Sequence, residues 1–265
     1  MKNFSVLIPY FNNKKGLVSS LKSICYSNEL YEILIVDDGS DPPLDVNELL
    51  EINLGVTIRI LRLPKNMGIL TALNYGLKDI HERNSVKYIA RLDCGDTCDP
   101  TRFIEQVNFL NKNPAIGLLG TWCTFTDSNN KKSYNYLTKT EHENIIKEMH
   151  FKCSFIHPTV MFRREVLDKV GYYPEEYPHA EDYAFFWNIL TVFKGAIIPK
   201  NYVNVEFNMG NVSVKNFTEQ LSSRKKIIRH MGSNKWLKIA GIFLINCRHM
   251  LPIKAIKQIK FYLYR

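Results

Sequence analysis

The sequence has few cysteines, and none of them is arranged for a metal or a redox centre. Its 265 residues include six cysteines, with no Cys-x-x-Cys pair and no His/Cys spacing of the zinc-site type. We also expect no signal peptide, because the first apolar run, residues 4–9, is too short for one. We therefore expect reduced thiols in a cytoplasmic protein.

Acidic residues are missing from the last part of the chain. Residues 220–265 contain no Asp or Glu but eleven Lys and Arg residues, while the whole chain has a net charge of +9. The first 219 residues are therefore slightly negative, and the basic character belongs to the tail. A nucleic-acid surface on the main body is excluded, because such a surface needs its own basic face.

No apolar run in this basic tail approaches the roughly 20 residues of a spanning helix. The tail instead alternates apolar and basic residues on both sides of Pro252. A basic amphipathic helix with Trp and Phe fits a segment that lies on anionic lipid, and the alternative is a helix that packs on the main domain. The residues expected at the lipid interface are Trp236, Lys238, Phe243, Lys254, Lys257 and Lys260.

Strands and helices alternate through about residue 115. Apolar runs predict strands at 4–9, 32–36, 56–63 and 86–92, and helical spacing predicts helices at 15–26, 68–81 and 99–111. This is the pattern of an open, mostly parallel α/β sheet, whose ligands bind beyond the carboxyl ends of the strands. Further along, the pattern predicts helices at 141–150 and 181–193, a short strand at 159–162, and one or two strands at 195–205.

Asp37 and Asp38 end the second predicted strand and precede Gly39. A carboxylate here can accept the imide N–H of uracil or thymine, and Gly39 lets the backbone turn closely around the base. The alternative is an Asx-turn or a helix N-cap. At the end of the first strand, Pro9, Tyr10 and Phe11 either supply an aromatic wall for the base or form a simple strand exit.

Asp93 and Asp96 follow the fourth predicted strand. Carboxylates at a strand end are hard oxygen ligands suited to Mg²⁺ or Mn²⁺, completed by diphosphate oxygens and water. The alternative is a polar loop that caps a helix beginning at Pro100, in which Asp96 or Asp99 caps and Asp93 stays available.

Glu181 and Asp182 open an aromatic helix. An Asp at a helix start beside apolar side chains suits a general base, although a charge that merely favours the helix N-terminus explains it equally well. His157, before Pro158, is either a metal or phosphate ligand or a hydrogen-bonded structural residue.

Several segments in fixed order resemble the family 2 glycosyltransferases, the inverting enzymes of GT-A fold found in bacterial capsule, O-antigen and lipooligosaccharide assembly. The resemblance covers roughly residues 4–205. The matching segments are Pro9-Tyr10-Phe11-Asn12, Val36-Asp37-Asp38-Gly39-Ser40, Asn66-Met67-Gly68, Ala72-Leu73-Asn74-Tyr75-Gly76, Arg91-Leu92-Asp93, His157-Pro158-Thr159 and Glu181-Asp182-Tyr183.

The resemblance implies a GT-A domain over residues 1–215, with a nucleotide-binding half to about 115 and an acceptor half to 215, followed by the tail 216–265. It implies that Asp182 deprotonates an acceptor hydroxyl, with Glu181 orienting or tuning it. The residues implied at the nucleotide-sugar are Pro9, Tyr10, Phe11, Asp37 or Asp38, Asn66, Gly68, Arg91 and Asp93.

Position 95 departs from the family's Asp-x-Asp motif, because it is Gly. Either Asp96 takes over as the second ligand of Mn²⁺ or Mg²⁺, or Asp93 holds the metal with water filling the gap.

The sequence as a whole predicts transfer of a sugar from a UDP- or TDP-linked donor to a glycan that is lipid-linked, at the inner face of the membrane. The alternatives are a sugar nucleotidyltransferase and a non-catalytic glycan- or lipid-binding module. Against the first alternative, residues 9–13 contain no glycine of a phosphate loop.

Overall fold

The computed structural model describes residues 1–26, 30–45, 47, 49, 55–127, 132–207 and 216–249. The strands are β1 (Lys2–Tyr10), β2 (Tyr31–Asp37), β3 (Thr57–Arg62), β4 (Val86–Arg91), β5 (Thr97–Cys98), β6 (Ile116–Asp127), β7 (Ser133–Tyr136), β8 (Met161–Arg163) and β9 (Lys194–Phe207). The helices are α1 (Lys14–Ser23), α2 (Ile69–Arg83), α3 (Arg102–Lys112), α4 (His142–Met149), α5 (Val166–Val170), α6 (Glu181–Val192), α7 (Phe217–Met231) and α8 (Lys235–His249), with a 3₁₀ turn at His157–Thr159.

These strands form one open mixed sheet in the order β3-β2-β1-β4-β8-β6-β9-β5, with β7 paired to β6. The pairs β3–β2, β2–β1, β1–β4 and β6–β9 are parallel and hold most of the paired residues. The short strand β8 lies antiparallel between β4 and β6. The structure thus confirms the open α/β sheet that the strand–helix alternation predicts.

The inner strands are buried on both faces because helices cover both sides of the sheet. Every residue of β2 is buried. In β1, Leu7 faces the core under α2, while Val6 and Ile8 face the core under α1 and α3. Helix α2 lies close to the sheet at Gly76, where an added Cβ would come within 2.5 Å of the Leu7 side chain.

Three predicted elements differ from the structure. Residues 157–159 form a 3₁₀ turn before β8, so the predicted strand at 159–162 is displaced. The one or two strands expected at 195–205 are a single long strand, β9. Helix α3 begins at Arg102 rather than at Asp99 or Pro100, because the Asp99 carboxylate accepts hydrogen bonds from the backbone N–H and the hydroxyl of Thr101 and holds a turn there.

The tail helices α7 and α8 pack on the domain. Helix α7 buries Leu221, Ile227 and Ile228. Helix α8 approaches through Gly241, where an added Cβ would meet the His150 carbonyl oxygen at 1.9 Å. Within the part of the chain that the structure describes, no helix is long and apolar enough to cross a membrane. The boundary predicted at residue 215 and the predicted lipid contacts Lys254, Lys257 and Lys260 lie outside the described residues.

Candidate active site

Asp37 uses both carboxylate oxygens to hold the chain that follows β2. Its Oδ1 accepts from the backbone N–H of Ser40 at 2.9 Å, and its Oδ2 accepts from that of Leu44 at 3.2 Å. The guanidinium of Arg62 lies 3.8 Å away. Asp37 is fully buried. Of the two carboxylates between which the sequence could not choose, Asp37 therefore holds the turn that follows β2.

Asp38 holds a second loop against the end of the same strand. Its oxygens accept from the backbone N–H groups of Met67 at 2.7 Å and Gly68 at 2.9 Å. Gly39 makes this contact possible, because an added Cβ would lie 2.2 Å from the Lys65 backbone. In this loop Asn66 is exposed and accepts from the Gly68 N–H at 3.2 Å. The predicted nucleotide residues of β2 and of residues 65–68 are thus brought together.

The aromatic wall expected at the end of β1 is reduced to one ring. Tyr10 is buried in the core, and its expected contact with a nucleotide stays a prediction. Phe11 is 44% exposed just beyond the strand. The Tyr10 carbonyl accepts from the backbone N–H of Asp38 at 2.9 Å, which fixes the ends of β1 and β2 side by side. Pro9, one residue earlier, is half-buried in β1.

Arg91 is fully buried, and this contradicts a direct contact with the nucleotide-sugar. Its guanidinium donates to the Leu7 carbonyl, to Nε2 of His157 at 3.2 Å and to Oδ1 of Asp93 at 2.6 Å. Each of the three guanidinium nitrogens, Nε, Nη1 and Nη2, thus donates a hydrogen bond inside the protein. Arg91 therefore orients Asp93 rather than meeting a ligand.

His157 is a neutral acceptor in the same network. Because Arg91 can only donate, Nε2 of His157 must be the unprotonated nitrogen. The Tyr173 hydroxyl lies 2.8 Å from the same atom. Burial, and then the Arg91 charge, hold the pKa of His157 well below its ordinary value. Nε2 is thus occupied by Arg91 and Tyr173, and the expectation of a metal ligand at His157 stays a prediction.

Asp93 and Asp96 are the carboxylates left for a divalent cation. Asp93 has 33% of its side chain exposed, whereas Asp96 is buried and accepts from the Glu206 backbone N–H at 2.9 Å. Burial, and next the Asp93 charge, raise the pKa of Asp96 well above its ordinary value. Among the described residues no three His, Cys, Asp or Glu side chains could hold a metal together. One or two carboxylates with substrate phosphates is, however, the usual arrangement for Mg²⁺, and these residues fit it.

Glu206 is a residue that the sequence analysis missed. Its Oε2 lies 3.5 Å from the point where a Cβ at position 95 would stand, beside the glycine that replaces the family's Asp. Its charge also raises the pKa of Asp96. No local pattern signals this proximity, because β9 brings Glu206 to the Asp93–Asp96 loop from more than a hundred residues away.

Glu181 and Asp182 begin helix α6, as predicted. The Oδ1 of Asp182 accepts from the backbone N–H of Tyr183 at 2.7 Å. The pKa of Asp182 is raised to about 7, first by burial, then by the charge of Glu181 and less by that of Asp93, while the hydrogen bond from the Tyr183 backbone and the charge of Arg224 oppose the rise. Burial also raises the pKa of Glu181. A carboxylate with a pKa near neutrality is suited to take a proton at physiological pH.

Carboxylates thus lie beyond the ends of β2 and β4 of this open α/β sheet and at the start of α6. The chain belongs to glycosyl transferase family 2, whose model matches residues 5–171, and it is a glycosyltransferase. This membership favours a glycosyltransferase over the nucleotidyltransferase alternative. The match ends before Glu181 and Asp182.

Relatives of known name are similar over most of this chain. Glycosyltransferase AmsE of amylovoran biosynthesis in Erwinia amylovora is 30% identical over 198 residues, 71% of this chain and 70% of that protein. An Escherichia coli UDP-Gal:alpha-D-GlcNAc-diphosphoundecaprenol beta-1,3-galactosyltransferase is 28% identical, over 69% of this chain and 66% of that enzyme. The bifunctional glycosyltransferase pgtA of Dictyostelium discoideum is 27% identical, but this chain spans only 32% of its length.

Solved structures confirm the GT-A fold. S. aureus TarS (1–349) in complex with UDP-GlcNAc has a TM-score of 0.65 at 19% identity, over 94% of this chain and 72% of TarS. The mannosyltransferase PcManGT of Pyrobaculum calidifontis, in complex with GDP-Man and Mn²⁺, has a TM-score of 0.63 at 13% identity, over 97% of this chain and 78% of that one.

Proposed function

We propose that this glycosyltransferase moves a sugar from a UDP- or TDP-linked donor to a hydroxyl of a surface polysaccharide, with inversion at the anomeric carbon. The observation that carries the proposal is a chain of contacts that runs from the Asp93 carboxylate through Arg91 and His157 to the ring of Phe186, one turn after Asp182 on α6. It supports a site shared by the proposed metal carboxylate and the proposed base. A donor diphosphate at Asp93 and an acceptor hydroxyl at Asp182 would then face the same anomeric carbon.

The nucleotide base is assigned to the edge formed by Asp38 and residues 65–68. Each oxygen of Asp38 already accepts one backbone N–H, from Met67 or Gly68. An ionised carboxylate has about four lone-pair sites, so it can also accept the imide N–H of uracil or thymine. The exposed ring of Phe11 lies at the neighbouring strand end and is available for stacking.

Asp93, with Asp96 beside it, is assigned to the divalent metal. Mn²⁺ or Mg²⁺, when bound, neutralises the charge that develops on the departing nucleoside diphosphate. The protein's part is to aim Asp93, which Arg91 does through its 2.6 Å hydrogen bond from a fully buried position. A buried, fully bonded guanidinium cannot swing away, so Oδ1 of Asp93 keeps its direction.

Asp182 is assigned the role of the general base that takes the proton from the acceptor hydroxyl. As that hydroxyl attacks, the C–O bond to the diphosphate breaks and the proton passes to the Asp182 carboxylate, in one inverting displacement. The pKa of about 7 keeps a large share of Asp182 ionised at neutral pH while making it a stronger base than an ordinary carboxylate. Glu181 tunes this base through its charge.

The acceptor is assigned to the class of lipid-linked glycans, and the enzyme to the inner face of the membrane. The E. coli relative is named for a diphosphoundecaprenol acceptor. Helix α8 exposes Trp236 by 76%, Ile239 by 53% and Phe243 by 64%, at helical spacing on one face. Lys238 lies between them, in a segment without acids that complements anionic lipid.

Release of nucleoside diphosphate from a panel of UDP- and TDP-sugars tests the proposal. We expect turnover of one donor with Mn²⁺ or Mg²⁺, loss of turnover with chelator, and loss in Asp93→Asn. The matched control is Asp45→Asn, which changes an exposed carboxylate and should leave the rate unchanged. If no donor is turned over and calorimetry detects no binding of any nucleotide-sugar, the proposal is wrong.

A further inference from the structure

One arginine of the tail helices faces the catalytic site rather than solvent. Arg224 lies on α7 and is half-buried. Its guanidinium carbon is 5.5 Å from the centroid of the Tyr183 ring, which is an arrangement of the cation–π type. Tyr183 directly follows Asp182 and is itself anchored by its hydroxyl, which donates to the Met149 carbonyl. Arg224 is thus fixed beside the start of α6.

The charge of Arg224 reaches three groups around the base. It lowers the pKa of Asp182, of Cys153 and of Tyr183, each against a larger rise caused by burial. Arg224 lies over the ring of Tyr183, which directly follows the proposed base. Since that base receives the proton of the acceptor hydroxyl, Arg224 is assigned to the acceptor part of the site.

The hydrogen-bonding capacity of Arg224 is unused within the described ranges. There, Arg224 donates no hydrogen bond and makes no ion pair within 4.0 Å, and its Nε is buried without an acceptor. The buried Arg91 and Arg102, by contrast, donate to several acceptors each. A buried polar nitrogen without a partner is rare in folded proteins and calls for an explanation.

We propose that Arg224 binds a phosphate oxygen of the acceptor, in the anionic linkage between the acceptor's sugar and its lipid. This inference rests on the proposed function and names the substrate group that this side of the site recognises. A guanidinium presents its donors in a planar fork that matches phosphate oxygens, and Tyr183 already holds that fork in place. The neighbouring helix α8 carries the exposed apolar face to which the lipid part of the acceptor is assigned.

Calorimetry with geranyl diphosphate, a soluble prenyl diphosphate, tests the inference. The protein is first saturated with UDP, so that the donor's own diphosphate site is filled. We expect wild type to bind geranyl diphosphate at least about tenfold more tightly than geraniol, which lacks the phosphates, since hydrogen bonds to charged groups have that weight. Equal affinity for the two compounds, or binding of neither, would overturn the inference.

Variants locate the effect on Arg224. Arg224→Gln should weaken the binding of geranyl diphosphate about tenfold or more. Arg224→Lys should weaken this binding less, because Lys keeps the positive charge but loses the planar set of guanidinium donors. Arg229→Gln, an exposed arginine on the same helix, is the matched control and should bind as wild type does. Unchanged affinity in Arg224→Gln contradicts the inference. If Arg224→Gln fails to fold, the Lys variant and the comparison with geraniol still decide.

The two proposals fail separately. Binding of UDP in the first titration tests the donor side, and the second titration tests Arg224. A protein that binds UDP but does not distinguish geranyl diphosphate from geraniol keeps the proposed function and loses the inference. A protein that binds no nucleotide loses the proposed function, and geranyl diphosphate is then titrated into the unliganded protein.

Discussion

The Nη2 atom of Arg91 lies 2.6 Å from Oδ1 of Asp93 and joins a fully buried cation to a carboxylate that is one-third exposed. The network continues inward from Arg91 to His157 and from there to Tyr173. Tyr173 is fixed in turn by two hydrogen bonds between its backbone and the Asn74 side chain. The direction of the Asp93 carboxylate therefore depends on helix α2 and on the turn before β8.

Substitutions in this network can distinguish Asp93, the proposed metal ligand, from His157, which supports it through Arg91. We expect Asp93→Asn to weaken Mn²⁺ binding at least about tenfold in the presence of UDP, because it removes a negative ligand. His157→Gln should leave Mn²⁺ affinity nearly unchanged, since a Gln oxygen can still accept from Arg91. Electron paramagnetic resonance of free Mn²⁺ measures both. A strong loss of affinity in His157→Gln would show that His157 is a metal ligand after all.

The activity should depend on pH through Asp182. Because a base must be ionised, we expect kcat to fall as the pH drops below about 7, the pKa of Asp182. In Glu181→Gln the fall should move to lower pH, because the neighbouring charge that raises this pKa is gone. Rates of donor consumption with acceptor, measured from pH 5 to about pH 9, test this. An unchanged dependence of kcat on pH in Glu181→Gln would show that the charge of Glu181 does not raise the pKa of the base.

Asp182 should also make stability depend on pH. Its pKa is raised in the folded protein, so its stabilising contribution is present below about pH 3.9, the value in unfolded chains, and is lost as the pH rises through about 7. Asp182→Asn removes that loss. We expect the variant to melt above wild type at pH 8, with the difference shrinking towards pH 5. A lower melting temperature at pH 8 would contradict the effect of burial on this carboxyl.

Gly39 should be required for nucleotide binding through packing. An added Cβ would lie 2.2 Å from the Lys65 backbone, and φ is +70°. We expect Gly39→Ala to push residues 65–68 away from Asp38. This should weaken the binding of UDP at least about tenfold, because two hydrogen bonds to a charged group are lost. Gly55→Ala is the control, since φ is +61° there and, among the residues that the structure describes, no atom would lie within 4 Å of an added Cβ. Calorimetry with UDP compares them, and equal affinities would contradict the packing argument.

The exposed face of α8 should be required for membrane binding. We expect wild type to sediment with phosphatidylglycerol vesicles but not with neutral ones, and the bound fraction to fall with added salt. Trp236→Ser with Phe243→Ser should abolish sedimentation and leave donor hydrolysis unchanged. Val192→Ser, which alters an apolar side chain 54% exposed on α6, is the matched control. Vesicle binding that survives the double substitution would place the contact elsewhere.

The parts of the fold that could be predicted depend on local pattern. Strands β1, β2 and β4 are apolar runs ended by polar residues, and their periodicity is enough to place them and the carboxylates that follow. Asp182 could be placed at a helix start for the same reason. The confirmed order of these elements also carried the family resemblance.

Long-range contacts could not be predicted in this way. The sequence shows Arg91 beside Asp93 but not that Arg91 is buried, so its contact with a ligand was a wrong expectation. Glu206 and Arg224 lie on β9 and α7, far along the chain from Asp96 and Tyr183, which they approach. The sequence does not single out Arg224 among the eleven Lys and Arg residues of the tail. Packing between distant elements decides all three roles.

The close approach of Gly241 to the His150 carbonyl has a consequence for the reach of the enzyme. Because a glycine stands there, α8 packs directly against the domain, with no side chain between its backbone and the His150 carbonyl. On the proposed membrane, contact through the exposed face of α8 would hold Asp182 at a set height above the bilayer. The enzyme would then select acceptors whose reactive hydroxyl stands at that height, and it would not act on longer or shorter ones.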